Sequence, residues 1–396
     1  MPDRTPGLAP QMTRLRFGYR SGGVLPEPLE VDAGTDTALF LGDLAWRKEH
    51  LPRGLDGCPD ANGAFVLPNL EGPIVDSMHR PRFRPSRVLG LWNDVSVLEW
   101  LRSMHGAAVG LANNHVDDYV GSLSETLHRL SAAGIAGVGG GHHLGEALRP
   151  LRLLMSDGGA LLIVALSDDR ISSRLASWSR PGSAHVPPSE FGRFVRVLRR
   201  RYPDDVLIVL LHWGMELQPL PSPEQRRAAR QLIDGGVNVI VGHHPHVWQG
   251  WESFDSGVCV YSLGDFLVSD SEAADGVVAS AGKATSGYGL VWRRDDLILV
   301  RHVCDDPALG VVRVTECLSR RKGEWLQAGP HLTGAVDERY ERLYRRRSTA
   351  RLWYPVWTGR ESPQVRALKR LQLSSAHWLR WAVRRGGRAV ASRTTR

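Results

Sequence analysis

An α/β fold is predicted for this 396-residue chain by three observations. Short apolar runs rich in Val, Ile and Leu alternate with helix-patterned segments. Several of those runs stop at polar residues, and one strand-helix-strand segment carries explicit capping chemistry at its helix.

The strands are marked alike, in chain order. TALFLG stops at Asp43, and AFVLP leads into Asn69, Leu70 and Glu71. AAVGLA is followed by Asn113, Asn114 and His115; DVLIVLL ends at His212; VNVIVG runs into His243, His244, Pro245 and His246. In parallel α/β sheets, ligands and catalytic groups collect beyond the carboxyl ends of the strands. Repetition of one polar terminus therefore argues for one shared site. Between the last two runs, Ser222, Pro223 and Gln225 read as an N-cap, a first-turn proline and the third residue of a capping box. Ala228, Ala229, Leu232 and Ile233 form the apolar stripe of that helix, and Gly235 and Gly236 end it. A right-handed crossover makes the two flanking strands parallel, so His212 and the His244/His246 pair face one region.

Composition bounds the rest. With 42% hydrophobic residues the chain can bury a substantial core. Cys58, Cys259, Cys304 and Cys317 lack CxxC spacing, so neither a disulfide framework nor a thiolate zinc site is indicated. No apolar run reaches the length of a signal-peptide core or a membrane span, and a cytoplasmic location is the expectation. The net charge of +8 is uneven: residues 339–396 carry 16 Lys and Arg against 2 Asp and Glu, which leaves −6 on residues 1–338. Three segments follow: an N-terminal extension (1–36), the α/β domain (37–330) and a basic, Trp- and Arg-rich helical tail (331–396). In the tail, Val365, Leu368, Leu371, Ser375, Trp378, Leu379 and Ala382 fall near one helical face with arginines elsewhere. Such a helix either packs on the domain or lies peripherally on an anionic membrane. No nucleic-acid-binding module accompanies the charge.

Imidazole nitrogen and carboxylate oxygen suit Mn, Zn or Fe. Asp43, Glu71, Asn114, His212, His244 and His246 could together hold two ions, with Glu71 as the candidate bridge. Taken singly, a strand-end Asp or Asn is usually a turn former or helix cap, and a His after an apolar run is usually a core residue. Three imidazoles within GHHPH resist that explanation.

NLEG at Asn69–Gly72, LANNHVDDY at Leu111–Tyr119, HWGMELQPLPSPEQ at His212–Gln225, LIDGGVNVIVGHHPHVWQ at Leu232–Gln249 and YSLGDF at Tyr261–Phe266 resemble, in the same order, the motif series of the CapA family of poly-γ-glutamate capsule proteins. That family is similar to the calcineurin-like metallophosphatases, which implies two packed β-sheets flanked by helices and a dinuclear site. By this resemblance Asp43 and His246 hold the first metal, Glu71 bridges, and Asn114, His212 and His244 hold the second. His115 resembles the histidine that protonates a leaving group. The chain departs from the phosphoesterase pattern at Ala45, where a ligating His is usual, and at Glu71, which replaces an Asp. The first metal position is therefore expected to be weak, with one or two ions bound or none. Asp265 replaces the usual Asn of YSLGNF and adds a candidate acid or base.

The function implied is synthesis or export of an anionic polymer such as poly-γ-glutamate. A soluble metal-dependent phosphoester hydrolase is one alternative. The other is a metal-independent dehydratase or cyclase of small-molecule biosynthesis, with His115, Glu71 and the GHHPH histidines as proton carriers.

Overall fold

The computed structural model describes residues 25–46, 55–56, 63–76, 89–172, 174–218, 220–268, 271–273, 278–279, 285–294, 296–306, 311–321 and 324–327. The basic tail lies outside the described residues. Along the chain run β1 (Leu29–Asp32), β2 (Ala38–Ala45), β3 (Phe65–Leu70), α1 (Val97–Ser103), β4 (Gly106–Gly110), α2 (Ser122–Ala132) and β5 (Ala136–Val138). There follow β6 (Leu151–Leu154), β7 (Ala160–Ser167), α3 (Phe191–Arg201), β8 (Val206–His212), α4 (Pro223–Asp234), β9 (Val239–His243), β10 (Trp251–Phe254) and β11 (Gly257–Val260). The last strands are β12 (Asp265–Val268), β13 (Thr285–Arg293), β14 (Asp296–Asp306), β15 (Val311–Arg321) and β16 (Glu324–Gln327). Shorter pieces complete the list.

Two sheets hold nearly all of these strands. A 7-stranded sheet runs β1-β6-β7-β8-β9-β11-β10, and a 10-stranded sheet runs β16-β15-β14-β13-β2-β3-β4-β5 with β12 beside β2 and the short strand Leu55–Asp56 beside β15. The parallel centres, β7-β8-β9-β11 and β12-β2-β3-β4-β5, set their carboxyl ends side by side within each sheet. β1 lies in the segment expected to precede the domain, yet it pairs with β6 as an edge strand, Leu29 opposite Leu151. The folded unit therefore includes residues 29–32.

Side-chain alternation builds four layers. Ala38 and Phe40 of β2, Phe65 and Leu67 of β3, and Ile208 and Leu210 of β8 fill a common core between the sheets. Leu39, Leu41 and Val66 point the other way, against Trp100 and Leu101 of α1 and Leu123 and Leu130 of α2. Leu207, Val209 and Leu211 meet Phe194 and Leu198 of α3 and Ala229 and Leu232 of α4. Two packed sheets with helices on both outer faces are the layer arrangement expected. The capping box forms as read: Ser222 Oγ accepts from Gln225 N at 3.1 Å, and Gln225 Oε1 accepts from Ser222 N at 2.8 Å. Among the described residues, no helix is long and apolar enough to cross a membrane.

One irregularity aims a key side chain. Between Leu41 and Asp43 the register of β2 against β3 slips, Leu41 facing Pro68 and Asp43 facing Asn69. The extra residue reverses the alternation, as a β-bulge does. Leu44 thus continues the helix-covered face of Leu39 and Leu41, and Asp43 turns to the side where Asn69 donates to it. Gly42 makes the slip possible, because a Cβ there would lie 2.1 Å from Gly264 O.

Candidate functional site

The strand ends converge on one buried polar cluster. Asp43 and Glu71 are fully buried, and Asn114, His212 and His244 nearly so. Asn69 Nδ2 donates to Asp43 Oδ1 at 2.7 Å and lies 3.3 Å from His212 Nδ1. His212 Nε2 is 2.6 Å from Asn114 Oδ1 and 3.5 Å from Glu71 Oε1. The other Glu71 oxygen, Oε2, is 3.6 Å from His246 Nε2. His246 Nδ1 lies 2.7 Å from Asp265 Oδ1 and 3.6 Å from Asp43 Oδ2. The His244 ring centroid is 4.9 Å from that of His212 and 6.1 Å from that of His246. All six residues read from the sequence as metal donors thus meet in one place, and Asp265 joins them.

Backbone geometry at GHHPH decides which histidines enter. His243, at the end of β9, turns aside and its Nε2 donates to Leu41 O at 3.1 Å. His244 and His246 have φ of 96° and 56°, a region costly for side-chain-bearing residues and tolerated where the surroundings enforce it. Asp43 Oδ2 helps enforce it by accepting from His244 N at 3.1 Å.

His115 sits beside the cluster, next in the chain to Asn114, whose Oδ1 lies 2.6 Å from His212 Nε2. Its Nδ1 is held 2.6 Å from Asp118 Oδ2, which also accepts from Leu91 N at 3.0 Å. Asn113 Oδ1 accepts from His115 N, and Asn113 Nδ2 donates to Leu70 O at 2.8 Å, tying the His115 loop to the end of β3. Asn69, Asn113 and Asp118 were not singled out in the sequence as site residues. Asn69 and Asn113 do lie within the strand-end motifs, and Asp118 falls three residues after His115, a spacing that brings the two side chains together in this turn.

Burial and crowding set the protonation of the cluster. Burial pushes Glu71 well above the usual carboxylate range, against the opposing pull of His246. Burial, reinforced by neighbouring imidazoles, holds His212 and His244 well below the ordinary histidine value. Burial opposes the His246 imidazolium too, but Glu71, Asp265 and Asp43 together outweigh it and raise His246 well above its ordinary value. Asp265 is raised by burial despite His246.

The donors fit a divalent cation. Both carboxylate oxygens of Glu71 and Nδ1 of His244 are buried without a hydrogen-bond partner, and such orphaned polar atoms in a native core call for a missing partner. Glu71, His244 and His246 form one group of donor atoms mutually within 4.8 Å, and Asp43, His246 and Asp265 form another. Mixed oxygen and imidazole donors without thiolate suit Mn, Zn or Fe.

Residues 61–270, more than half of the chain, match the family described as Bacterial capsule synthesis protein PGA_cap. The chain belongs to this family. Among curated relatives it is 28% identical over 204 residues to the PGA biosynthesis protein CapA of Bacillus subtilis, covering 51% of this chain and 53% of that protein. It is 25% identical over 209 residues to the capsule biosynthesis protein CapA of Bacillus anthracis, covering 52% and 51%. A probable polyglutamine synthesis accessory protein of Mycobacterium tuberculosis is 29% identical over 188 residues, covering 44% and 48%. The chain thus spans about half the length of the curated relatives it matches. A NAD nucleotidase (NadN) of Haemophilus influenzae, a solved structure, aligns at 12% identity and a TM-score of 0.31 over 78% of this chain and 55% of that one. The PGA_cap match spans Glu71, Asn114, His115, His212, His244, His246 and Asp265, and Asp43 precedes it.

Proposed function

We propose that this PGA_cap protein is a metal-dependent hydrolase acting on a phosphoester or phosphoanhydride during synthesis or export of an anionic polymer such as poly-γ-glutamate. The observation that carries the reading is Glu71, a fully buried carboxylate with neither oxygen hydrogen-bonded, between His212 on one side and His246 on the other. A carboxylate so placed is costly unless a cation sits beside it. The family membership and the names of the Bacillus relatives support the polymer context.

In this reading Asp43, Glu71, Asn114, His212, His244 and His246 hold the cation or cations. A bound divalent ion supplies Lewis acidity and lowers the pKa of water. The rest of the work falls to the chain's own groups. Asp118 accepts from His115 Nδ1–H at 2.6 Å, which orients the ring so that Nε2 is the nitrogen that gains and gives up the proton, the doubly protonated ring being the acid form. His115, the general acid, delivers that proton to the departing oxygen, a contribution of about 10²–10⁴ in rate for a positioned acid. Asn113 holds the His115 loop against β3, and Asn69 ties Asp43 to His212, so the acid and the donor cluster keep a fixed separation.

The test is hydrolysis of p-nitrophenyl phosphate, bis(p-nitrophenyl) phosphate and a nucleoside triphosphate by manganese-loaded protein, beside Glu71→Gln and after chelation. Loss of turnover in both cases is expected. Turnover that survives chelation and the Glu71→Gln substitution overturns the proposal in favour of metal-independent acid/base chemistry.

A further inference from the structure

We propose that Asp265 is a metal ligand, completing with Asp43 and His246 a second cation position beside the one lined by Glu71 and His244. The inference rests on the metal reading above and goes beyond it in the donor it names.

Three observations lead there. First, the backbone brings the two carboxylates together. β12 runs parallel to β2 with Asp265 directly opposite Asp43, and the ladder slips just after that pair. The approach is as close as backbone permits: Asp43 N donates to Gly264 O at 3.0 Å, and a Cβ on Gly42 would lie 2.1 Å from that same oxygen. Second, both carboxylates address one nitrogen. His246 Nδ1 is 2.7 Å from Asp265 Oδ1 and 3.6 Å from Asp43 Oδ2, and one donor atom from each of the three residues lies within 4.8 Å of the others. Two carboxylates side by side repel unless positive charge lies between them. Third, positive charge is scarce. Among the described residues, the ion-pair partners of Asp43, Glu71 and Asp265 are only His212 and His246. Three carboxylates against two imidazoles make the cluster one that attracts cations.

Asp265 also supplies a donor that position 45 does not. Ala45 of β2 offers none and pairs with Val268 of β12, so position 45 is apolar on both strands. The carboxylate comes instead from the start of the neighbouring strand, and the expectation of a depleted first position does not follow from Ala45 alone.

The experiment is manganese titration of the chelator-treated full chain, read by calorimetry and by metal content after gel filtration. Electron paramagnetic resonance reports whether two Mn²⁺ ions are exchange-coupled. Two ions per chain and a coupled signal are expected for the wild type. Asp265→Ala should retain one ion and lose the coupling. Asp265→Asn keeps a hydrogen-bond acceptor for His246 and guards against a merely misfolded variant. It should weaken the second ion by at least about 10-fold, the lower end of what loss of an outer-shell partner costs. Wild-type affinities at both positions in Asp265→Ala or Asp265→Asn overturn the ligand role. One ion in wild type and variants alike overturns the second position and leaves the hydrolase reading intact. No ion in any of them overturns both.

Discussion

Replacing Glu71 by Gln should stabilise the metal-free protein while removing its response to metal. Glu71 is fully buried, and neither carboxylate oxygen has a hydrogen-bond partner. Burial raises its pKa well above the ordinary carboxylate value, so ionisation penalises the folded state. The penalty is absent below the unfolded-state carboxyl pKa, accrues as pH rises toward the folded-state value, and is complete above it. Gln cannot ionise. Leaving a buried polar group unsatisfied costs about 1–3 kcal/mol, and more for a charged one; the Gln amide keeps the neutral group's cost, so the gain is the excess due to charge, taken as about 1–3 kcal/mol, and loss of the 3.6 Å approach to His246 opposes it but is the smaller influence on Glu71. At about 2 °C per kcal/mol for a domain of this size, Glu71→Gln should melt about 2–6 °C higher than wild type in chelator at alkaline pH. The gap should close as pH falls toward 5. His212 and His244, held low by burial, destabilise both proteins together as pH drops below the unfolded histidine value, so they cancel in the comparison. The assay is a thermal melt by circular dichroism across this pH range, with chelator and with manganese. A lower melting temperature for Glu71→Gln in chelator at high pH, or an undiminished manganese shift, refutes the reasoning.

Other outcomes follow from the same geometry. His115→Asn should lower kcat on an aryl phosphate by about 10²–10⁴ with manganese affinity nearly unchanged, the loss expected of a general acid; equal kcat in steady-state kinetics argues against that role. Asp118→Asn should lower kcat less than His115→Asn does, because His115 keeps its place and loses its carboxylate partner at 2.6 Å; an unchanged kcat in steady-state kinetics argues against that support. Gly242→Ala places a Cβ 1.9 Å from Tyr261 O and 2.8 Å from Trp213 Nε1; it should cost about 1–3 kcal/mol or more as overpacking, read by denaturant unfolding. For the basic tail, cosedimentation with anionic but not neutral vesicles that vanishes on deleting residues 360–396 marks a membrane-surface helix; equal binding by both proteins, or none by either, assigns the tail to packing.

The strands that carry the site were legible because apolar runs ending in Asp, Asn, Glu and His are local signals, and so was α4, whose capping box is written within four residues. Membership of the cluster for Glu71, Asn114, His212, His244 and His246 followed from that pattern. The aim of Asp43 did not, since strict alternation from Leu39 and Leu41 would turn it toward α1 and α2. Only the slip against β3 turns it inward, and that slip depends on Gly42 meeting Gly264, more than two hundred residues away. Likewise, nothing local separates His243 from its neighbours in GHHPH. The positive φ of His244 and His246, supported by Asp43, sends two imidazoles into the cluster and leaves the third on Leu41 O. Asp265 could be read only as a turn former or a spare acid until β12 was laid against β2. Sequence periodicity thus determines which residues stand at strand ends, because side-chain alternation is a property of each strand alone. Which of them share a cation is decided by register and close backbone approach between strands distant in sequence, and those exist only in the assembled sheets.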